Sequence, residues 1–365
     1  MVELADGIHS GPGPFHSNSK GQRLDPSAIL STNAKRIDFD LLETLNGQSV
    51  VHAGQFNRET IVELARFAAL LELSEVASHH PLDGKLVITA FFEASTRTRL
   101  SFESAVLRLD GKVLSVPDGR TTGAAKGESL EDIGEMMNTY GDLVIMRHTE
   151  TDAVRRIRTN LQLPLINAGN GSGEHPTQAL VDWYSLLKWR PALAAPEVPE
   201  AQRIHLGIVG TPGNMRAVKS FMRMALTFAA GISKITVVSE MADPLGAELA
   251  TWVSESDLKV EVTNDIEDVI ESLDVIYMNS IALLGDSYKT LDSRYRLHAE
   301  SKLQPDAIIL HPMARRSELD ISLDGTPHNL YFAQAAGAVF IRQAILICLL
   351  GRVAAIPGGI RLLTQ

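Results

Sequence analysis

The stretch Phe91-Phe-Glu-Ala-Ser-Thr-Arg-Thr-Arg-Leu-Ser-Phe-Glu-Ser-Ala105 concentrates the chemistry of this chain. An apolar run, Lys85 to Phe92, ends there, and Ser95-Thr96-Arg97-Thr98-Arg99 leads into a helix expected over Leu100 to Leu109. Exposed N–H groups at a helix start, hydroxyls and a planar guanidinium together suit a phosphate or phosphonate. The plainer reading is a Ser/Thr N-cap with solvated arginines. This run of residues straight after a buried strand favours the anion site. Arg147, in Met146-Arg147-His148, ends another strand, where ligands gather in open α/β sheets. Lys126 lies in the Gly/Ala-rich Thr121-Thr122-Gly-Ala-Ala-Lys126-Gly-Glu. One ammonium on such a loop is either a lid for a dianion or an ordinary surface lysine. His175, in Asn167-Ala-Gly-Asn-Gly-Ser-Gly-Glu-His175-Pro-Thr-Gln178, follows glycines that let backbone approach a ligand. The alternative is that His175 only caps the next helix.

These groups need elements to hold them. Helical apolar spacing over Glu59–Leu71 precedes the strand at Lys85–Phe92. Strands at Leu143–Met146 and Pro164–Asn167 enclose a short helix around 151–160, and a helix from about Thr177 to Trp189 follows. The Pro/Ala stretch from Pro191 to Pro199 reads as a linker. Beyond it the alternation restarts with strand Ile204–Val209, a helix over 214–229, strand Ile235–Val238 and a helix over 245–255. Strands Val260–Val262, Val275–Met278 and Ile308–Leu310 and a final apolar helix, Ala336–Leu350, complete the chain. Two consecutive β/α alternations predict an α/β protein of two doubly wound parallel-sheet domains. Residues 1–34, rich in Gly, Pro, Ser and Asn, are expected to form a mobile N-terminal arm.

Composition narrows the classes. At roughly 150 residues per domain, 365 residues give two domains, long enough for a large core. The net charge of −10 argues against a general nucleic-acid or membrane-surface binder, though not against a local basic pocket. Cys348 is the one cysteine, so no internal disulfide or multi-cysteine metal site exists, and its apolar neighbours make it a core thiol. No purely apolar run approaches the ~18 residues of a membrane helix. A soluble, cytoplasmic protein is expected.

From about residue 45 to the C-terminus the chain resembles the aspartate/ornithine carbamoyltransferase superfamily, whose carbamoyl-phosphate loop is Ser-Thr-Arg-Thr. Phe-Phe-Glu-Ala…Arg-Leu-Ser-Phe-Glu looks like the aspartate branch. Thr121 to Glu131 resembles the family's mobile loop, which reaches into the adjacent subunit's active site in a trimer; Thr122 and Lys126 take the places of its serine and lysine. Met146-Arg147-His148 and His175-Pro-Thr-Gln178 match two more motifs. The resemblance implies that Ser95, Thr96, Arg97 and Thr98 hold the phosphate, that His175 donates to the carbamoyl oxygen and that Gln178 contacts the carbamoyl nitrogen. Thr98, Arg147 and His175 would stabilise the oxyanion, while Arg97 and Lys126 neutralise departing phosphate. Carbamoyl phosphate is already activated, so alignment and charge stabilisation suffice; no cofactor and no metal are expected. The partners implied are carbamoyl phosphate, an amino-acid acceptor and further copies of the chain in a homotrimer. A carbamoyl-phosphate domain at 35–190, joined by the C-terminal helix 336–365 packing back on it, and an acceptor domain at 191–335 are expected.

The acceptor side departs from the family. Arg216 matches the arginine that binds the acceptor's α-carboxylate, but Ser280 and Ala282 stand where Arg-x-Gln should hold aspartate's side-chain carboxylate. His311-Pro-Met313-Ala-Arg resembles the family's His-Pro-Leu-Pro-Arg, and the ornithine branch's cysteine is absent. The expectation is an amino acid whose side chain is not a second carboxylate, with Arg216, Ser280 and Met313 around it. Alternatives are ordinary aspartate chemistry with a relocated cation among Lys289, Arg294, Arg296 and Arg315, or a non-catalytic relative. Gly207-Ile-Val-Gly210-Thr-Pro-Gly213 mimics a dinucleotide fingerprint, but its spacing is wrong and Pro212 interrupts it; a tight strand-to-helix turn is the better reading.

Overall fold

Short apolar runs bounded by turn residues become strands, and longer periodic stretches become the helices that cover them. The computed structural model describes residues 24–31, 36–74, 79–279 and 293–356. Its first half holds α1 (Ser27–Ser31), α2 (Phe39–Glu43), α3 (Arg58–Leu73), β1 (Leu86–Phe91), α4 (Thr96–Arg108), β2 (Lys112–Val116) and α5 (Leu130–Met137). Next come β3 (Leu143–His148), α6 (Ala153–Ile157), β4 (Leu165–Asn170) and α7 (Pro176–Trp189). The second half holds β5 (Ile204–Val209), α8 (Arg216–Thr227), β6 (Ile232–Val238), α9 (Gly246–Ser254), β7 (Val260–Thr263), β8 (Val275–Met278), β9 (Ile308–Leu310) and α10 (Tyr331–Leu349).

Both sheets are parallel, with strand orders β2-β1-β3-β4 and β7-β6-β5-β8-β9. In each the order reverses once, between β1 and β3 and between β5 and β8. Such a switch point opens a crevice beyond the carboxyl ends of its strands. Register sets Phe91 beside Arg147 in the first sheet and Val209 beside Met278 in the second. Whatever follows those residues is therefore delivered to a crevice.

Helix α10 packs on α3, α4 and α7, which ties the end of the chain to the first sheet's helices. It is long and apolar enough to cross a membrane by length and hydropathy, yet 67% of that window is buried inside the protein. Its mid-helix Arg342 is also buried, so α10 is a core helix. Cys348 lies within it, fully buried, as its sequence neighbours predict.

Three features differ from the sequence expectation. The segment expected to be an arm contains α1, whose Ile29 is fully buried in the main core against α3 and α7. A lone apolar side chain between polar neighbours gives no periodic signal. Strand β2 has an edge position and a mostly exposed pattern, so its sequence carried no continuous apolar run. Helix α4 begins at Thr96 rather than Leu100, so Ser95 is its first capping residue.

Candidate active site

Ser95 stands at the N-cap of α4, but its side chain makes no capping bond, so it leaves the first N–H groups of the helix without a side-chain partner from the cap. The Arg97 side chain makes no hydrogen bond or ion pair with any described residue, whereas Arg99 turns away to Glu103 at 3.3 Å. Both features belong to a cleft of about 940 Å³ between the two switch points. Ser95, Thr96, Arg97, Thr98, Arg147, His175, Gln178, Arg216 and Met313 all line it. Residues as far apart in sequence as Ser95 and Met313 thus line one cleft, because β1 and β3 end there and α4, α7 and α8 begin there.

His175 sits at the start of α7 without a side-chain cap bond, and its backbone N–H donates to Ser220 Oγ at 2.9 Å. It does not cap that helix. Burial, aided by the charges of Arg147, Arg216 and Arg342, holds its imidazole well below the usual range, so the ring is neutral. A neutral imidazole can donate one hydrogen bond without supplying a proton. Thr177 Oγ1 lies 3.5 Å from its Nδ1. One turn along, Gln178 Nε2 donates to Asp182 Oδ1 at 2.7 Å, which leaves Oε1 uncommitted.

Asp182 is the centre of a buried cluster. Gln334 Nε2 donates to its Oδ1 at 2.6 Å and the Tyr277 hydroxyl to its Oδ2 at 2.7 Å. Gln334 in turn accepts from the backbone N–H of His311 at 2.9 Å. Burial raises the Asp182 carboxyl to about 7 against the pull of these hydrogen bonds. The cluster joins α7, β8, α10 and the loop after β9.

Glu93 was not assigned from sequence, although it lies inside the anion-loop motif. Its carboxylate takes Arg147 at 2.7 Å and both terminal nitrogens of Arg216, at 2.8 and 2.6 Å. Burial raises its carboxyl, but the bonds and charges of Arg216 and Arg147 outweigh that and hold it below the glutamate range. Arg216, expected to be open for an acceptor carboxylate, is therefore held by Glu93 and by the Gly171 carbonyl at 3.0 Å. Gly169, at φ +116, is required here, because a Cβ would lie 3.1 Å from Arg216 Nε and 3.4 Å from Arg147.

Arg342 is the other residue that sequence reasoning passed over. It lines the cleft from α10, with its guanidinium 4.4 Å from the Phe102 ring centroid and donating to the Thr98 carbonyl at 3.4 Å. Burial lowers it to about 9, still charged at pH 7. A lone arginine in an apolar helix was the available signal.

Thr122 joins two 3-10 turns, Gly119–Thr121 and Gly123–Lys126, and Lys126 ends the second; both residues lie outside this chain's cleft. The Thr122 hydroxyl is engaged locally, donating to Gly119 O at 2.7 Å, and Lys126 is exposed. Ser280, Ala282 and Lys289 fall outside the described residues. Met313 adopts φ +59 and precedes a cis peptide to Ala314. In the dinucleotide-like stretch, Gly207 packs under Leu273 and Gly213 against the Leu245 carbonyl, where a Cβ would collide. Those glycines serve packing. Among the described residues no group of His, Cys, Asp or Glu has metal-site geometry.

Two parallel α/β sheets that share a guanidinium-lined cleft, with an open helix start and a neutral histidine, define a two-sheet α/β protein with an anion-binding cleft. Residues 48–188 match the aspartate/ornithine carbamoyltransferase carbamoyl-P binding domain, and 202–349 the Asp/Orn binding domain. The chain belongs to the aspartate/ornithine carbamoyltransferase family. It is 35% identical to chloroplastic aspartate carbamoyltransferase of Oryza sativa subsp. japonica, over 83% of this chain and 85% of that protein. It is 33% identical to the aspartate carbamoyltransferase catalytic subunit of Pyrobaculum calidifontis, over 83% and 98%. Aspartate transcarbamoylase from Trypanosoma cruzi, solved with aspartate and phosphate, superposes with a TM-score of 0.73 at 28% identity, covering 85% of this chain and 96% of that one.

Proposed function

We propose that this protein transfers the carbamoyl group of carbamoyl phosphate to the amino group of an amino-acid acceptor whose side chain is not a second carboxylate. The observation that carries the reading is Arg97, unpaired at the open start of α4, in one cleft with His175 and Gln178. In this reading Ser95, Thr96, Arg97 and Thr98 grip the phosphate. The acceptor amine attacks the carbamoyl carbon, the C–O bond to phosphate breaks, and the departing phosphate takes the amine proton. Neutral His175, with Thr98 and Arg147, donates to the oxygen that gains charge. Gln178, whose Nε2 is committed to Asp182, presents Oε1 to the carbamoyl NH₂. Arg216 receives the acceptor's α-carboxylate once Glu93 shares it.

The two sheets then act as two domains, a donor domain over 35–190 with the C-terminal helix and an acceptor domain over 191–335. The working form is a homotrimer with shared sites. Its support is an apolar surface at one edge of the cleft: Leu100 and Leu107 on α4 are 50% and 60% exposed, and Leu114 on the adjoining β2 is 44% exposed. A neighbouring copy docked there would bring its own Thr122 and Lys126 to the cleft. Relocated-cation chemistry finds less support. Arg315 is paired with both oxygens of Asp324, and neither Arg294 nor Arg296 lines the cleft.

Phosphate release from carbamoyl phosphate, measured against a panel of amines, tests the reading. We expect turnover with at least one α-amino acid. Arg97→Ala should weaken phosphonoacetamide binding about 10- to 150-fold, the loss of one charge-assisted contact. Undiminished binding by that variant overturns the assignment of the loop.

A further inference from the structure

Asn279 follows β8 directly, at the switch point of the second sheet, and lines the cleft. It is 4% exposed, and its Nδ2 is sealed from solvent with no hydrogen-bond partner. Its Oδ1 has no partner among the described residues either. Buried polar groups in folded proteins are satisfied in the large majority of cases, and an amide left bare at a strand's carboxyl end, inside a ligand cleft, is placed to be satisfied by ligand. Glu93 and Asp182, by contrast, are fully engaged by protein.

Charge around the cleft limits what that ligand group is. The cleft's guanidiniums are Arg97, Arg147, Arg216 and Arg342, and Glu93 already shares two of them. In the reading proposed above, carbamoyl phosphate takes Arg97 and Arg147, one α-carboxylate takes Arg216, and Arg342 is already held by the Thr98 carbonyl and the Phe102 ring. A further carboxylate on the acceptor would meet a neutral amide at the second switch point. An amide both donates and accepts, and its complement is a group that does the same. We infer that Asn279 is a specificity-determining residue, and that the acceptor's side chain ends in a neutral carboxamide or hydroxyl that pairs with it. This rests on the carbamoyltransferase reading above.

The test uses the full-length protein with saturating carbamoyl phosphate and three amines: L-asparagine, L-serine and L-aspartate, with L-alanine as the apolar control. The wild-type protein should favour L-asparagine or L-serine over L-aspartate in kcat/KM. Asn279→Leu keeps the side-chain shape and removes both polar atoms. It should lower kcat/KM for the favoured amine about 5- to 150-fold, the cost of one unmatched buried polar group. Its effect on L-alanine should be small, and carbamoyl-phosphate affinity by calorimetry should not change. The inference is overturned if L-aspartate is the best substrate, if neither neutral amine turns over, or if the variant loses all amines equally. With carbamoyl-phosphate binding intact, those results leave the transferase reading standing. Absence of such binding in the wild-type protein removes both.

Discussion

At the scale of single residues, the site is a set of side chains whose protonation is set by their surroundings. Asp182 is the clearest case. Its carboxyl lies near 3.8 in the unfolded chain and is raised by burial to about 7 in the folded one. Folding therefore binds a proton between those values, and stability from this group is fully present at low pH and is lost as pH rises through about 7. Asp182→Asn removes the titration. It still offers Oδ1 to Gln178 and Gln334, and its Nδ2 can donate to a Tyr277 hydroxyl that reverses its role. Urea unfolding from pH 6 to 8 should show the wild-type protein losing stability relative to the variant. Parallel curves for the two proteins would place the pH dependence elsewhere. His175 needs no such allowance, because burial keeps it neutral at ordinary pH, which fits the hydrogen-bond donor role proposed for it.

At the scale of elements, the unusual component is the pair of 3-10 turns that carries Thr122 and Lys126. They are anchored at Gly119, against the Phe92 ring, yet their own cleft is not where Lys126 lies. In the shared-site reading proposed above, this ammonium would serve catalysis in a neighbouring copy docked on α4 and β2. Arg97→Ala and Lys126→Ala proteins should each retain at most about 1% activity, since loss of one positioned transition-state contact costs on the order of 10²–10³ in rate. Mixed, dissociated and reassembled, they should regain activity in hybrids that combine two unaltered halves. Verified hybrids with no recovery, or a monomer by sedimentation, would remove the shared site. The leucines on α4 make the same point from packing. Apolar side chains at i and i+7 of one helix face, beside an exposed edge strand, are where a soluble oligomer hides surface.

At the scale of the whole molecule, Glu93 is what connects the two sheets across the cleft. It leaves the first sheet after β1 and holds Arg147 at the end of β3 and Arg216 at the start of α8. Removing it sets two guanidiniums face to face without their shared counter-ion. A fully buried pair broken this way costs 3–5 kcal/mol; with the Glu93 side chain 25% exposed, Glu93→Ala should cost about 1–3 kcal/mol of stability. Carbamoyl phosphate supplies the missing anion, so saturating ligand should narrow the difference in melting temperature between variant and wild type. A gap that ligand leaves unchanged would mean that Arg147 does not meet the bound donor.

The sequence by itself determined the local elements and the donor motifs. Buried parallel strands such as Val87–Phe91, Ile204–Val209 and Val275–Met278 read as mostly apolar runs without alternation, since both of their faces are covered. Ser95 to Thr98 and His175 to Gln178 were legible because each motif is contiguous. What only the tertiary structure decided are relations between distant segments. Glu93 between Arg147 and Arg216, Asp182 with Tyr277 and Gln334, and Arg342 beneath Thr98 join residues 54 to 244 positions apart. Strand order brings them together, and strand order is set by which crossovers pack, which no local window contains. Nor does the sequence distinguish a polar residue that has a partner from one that lacks it. Asn279 ends its strand like any other asparagine, and only the folded cleft leaves its amide bare.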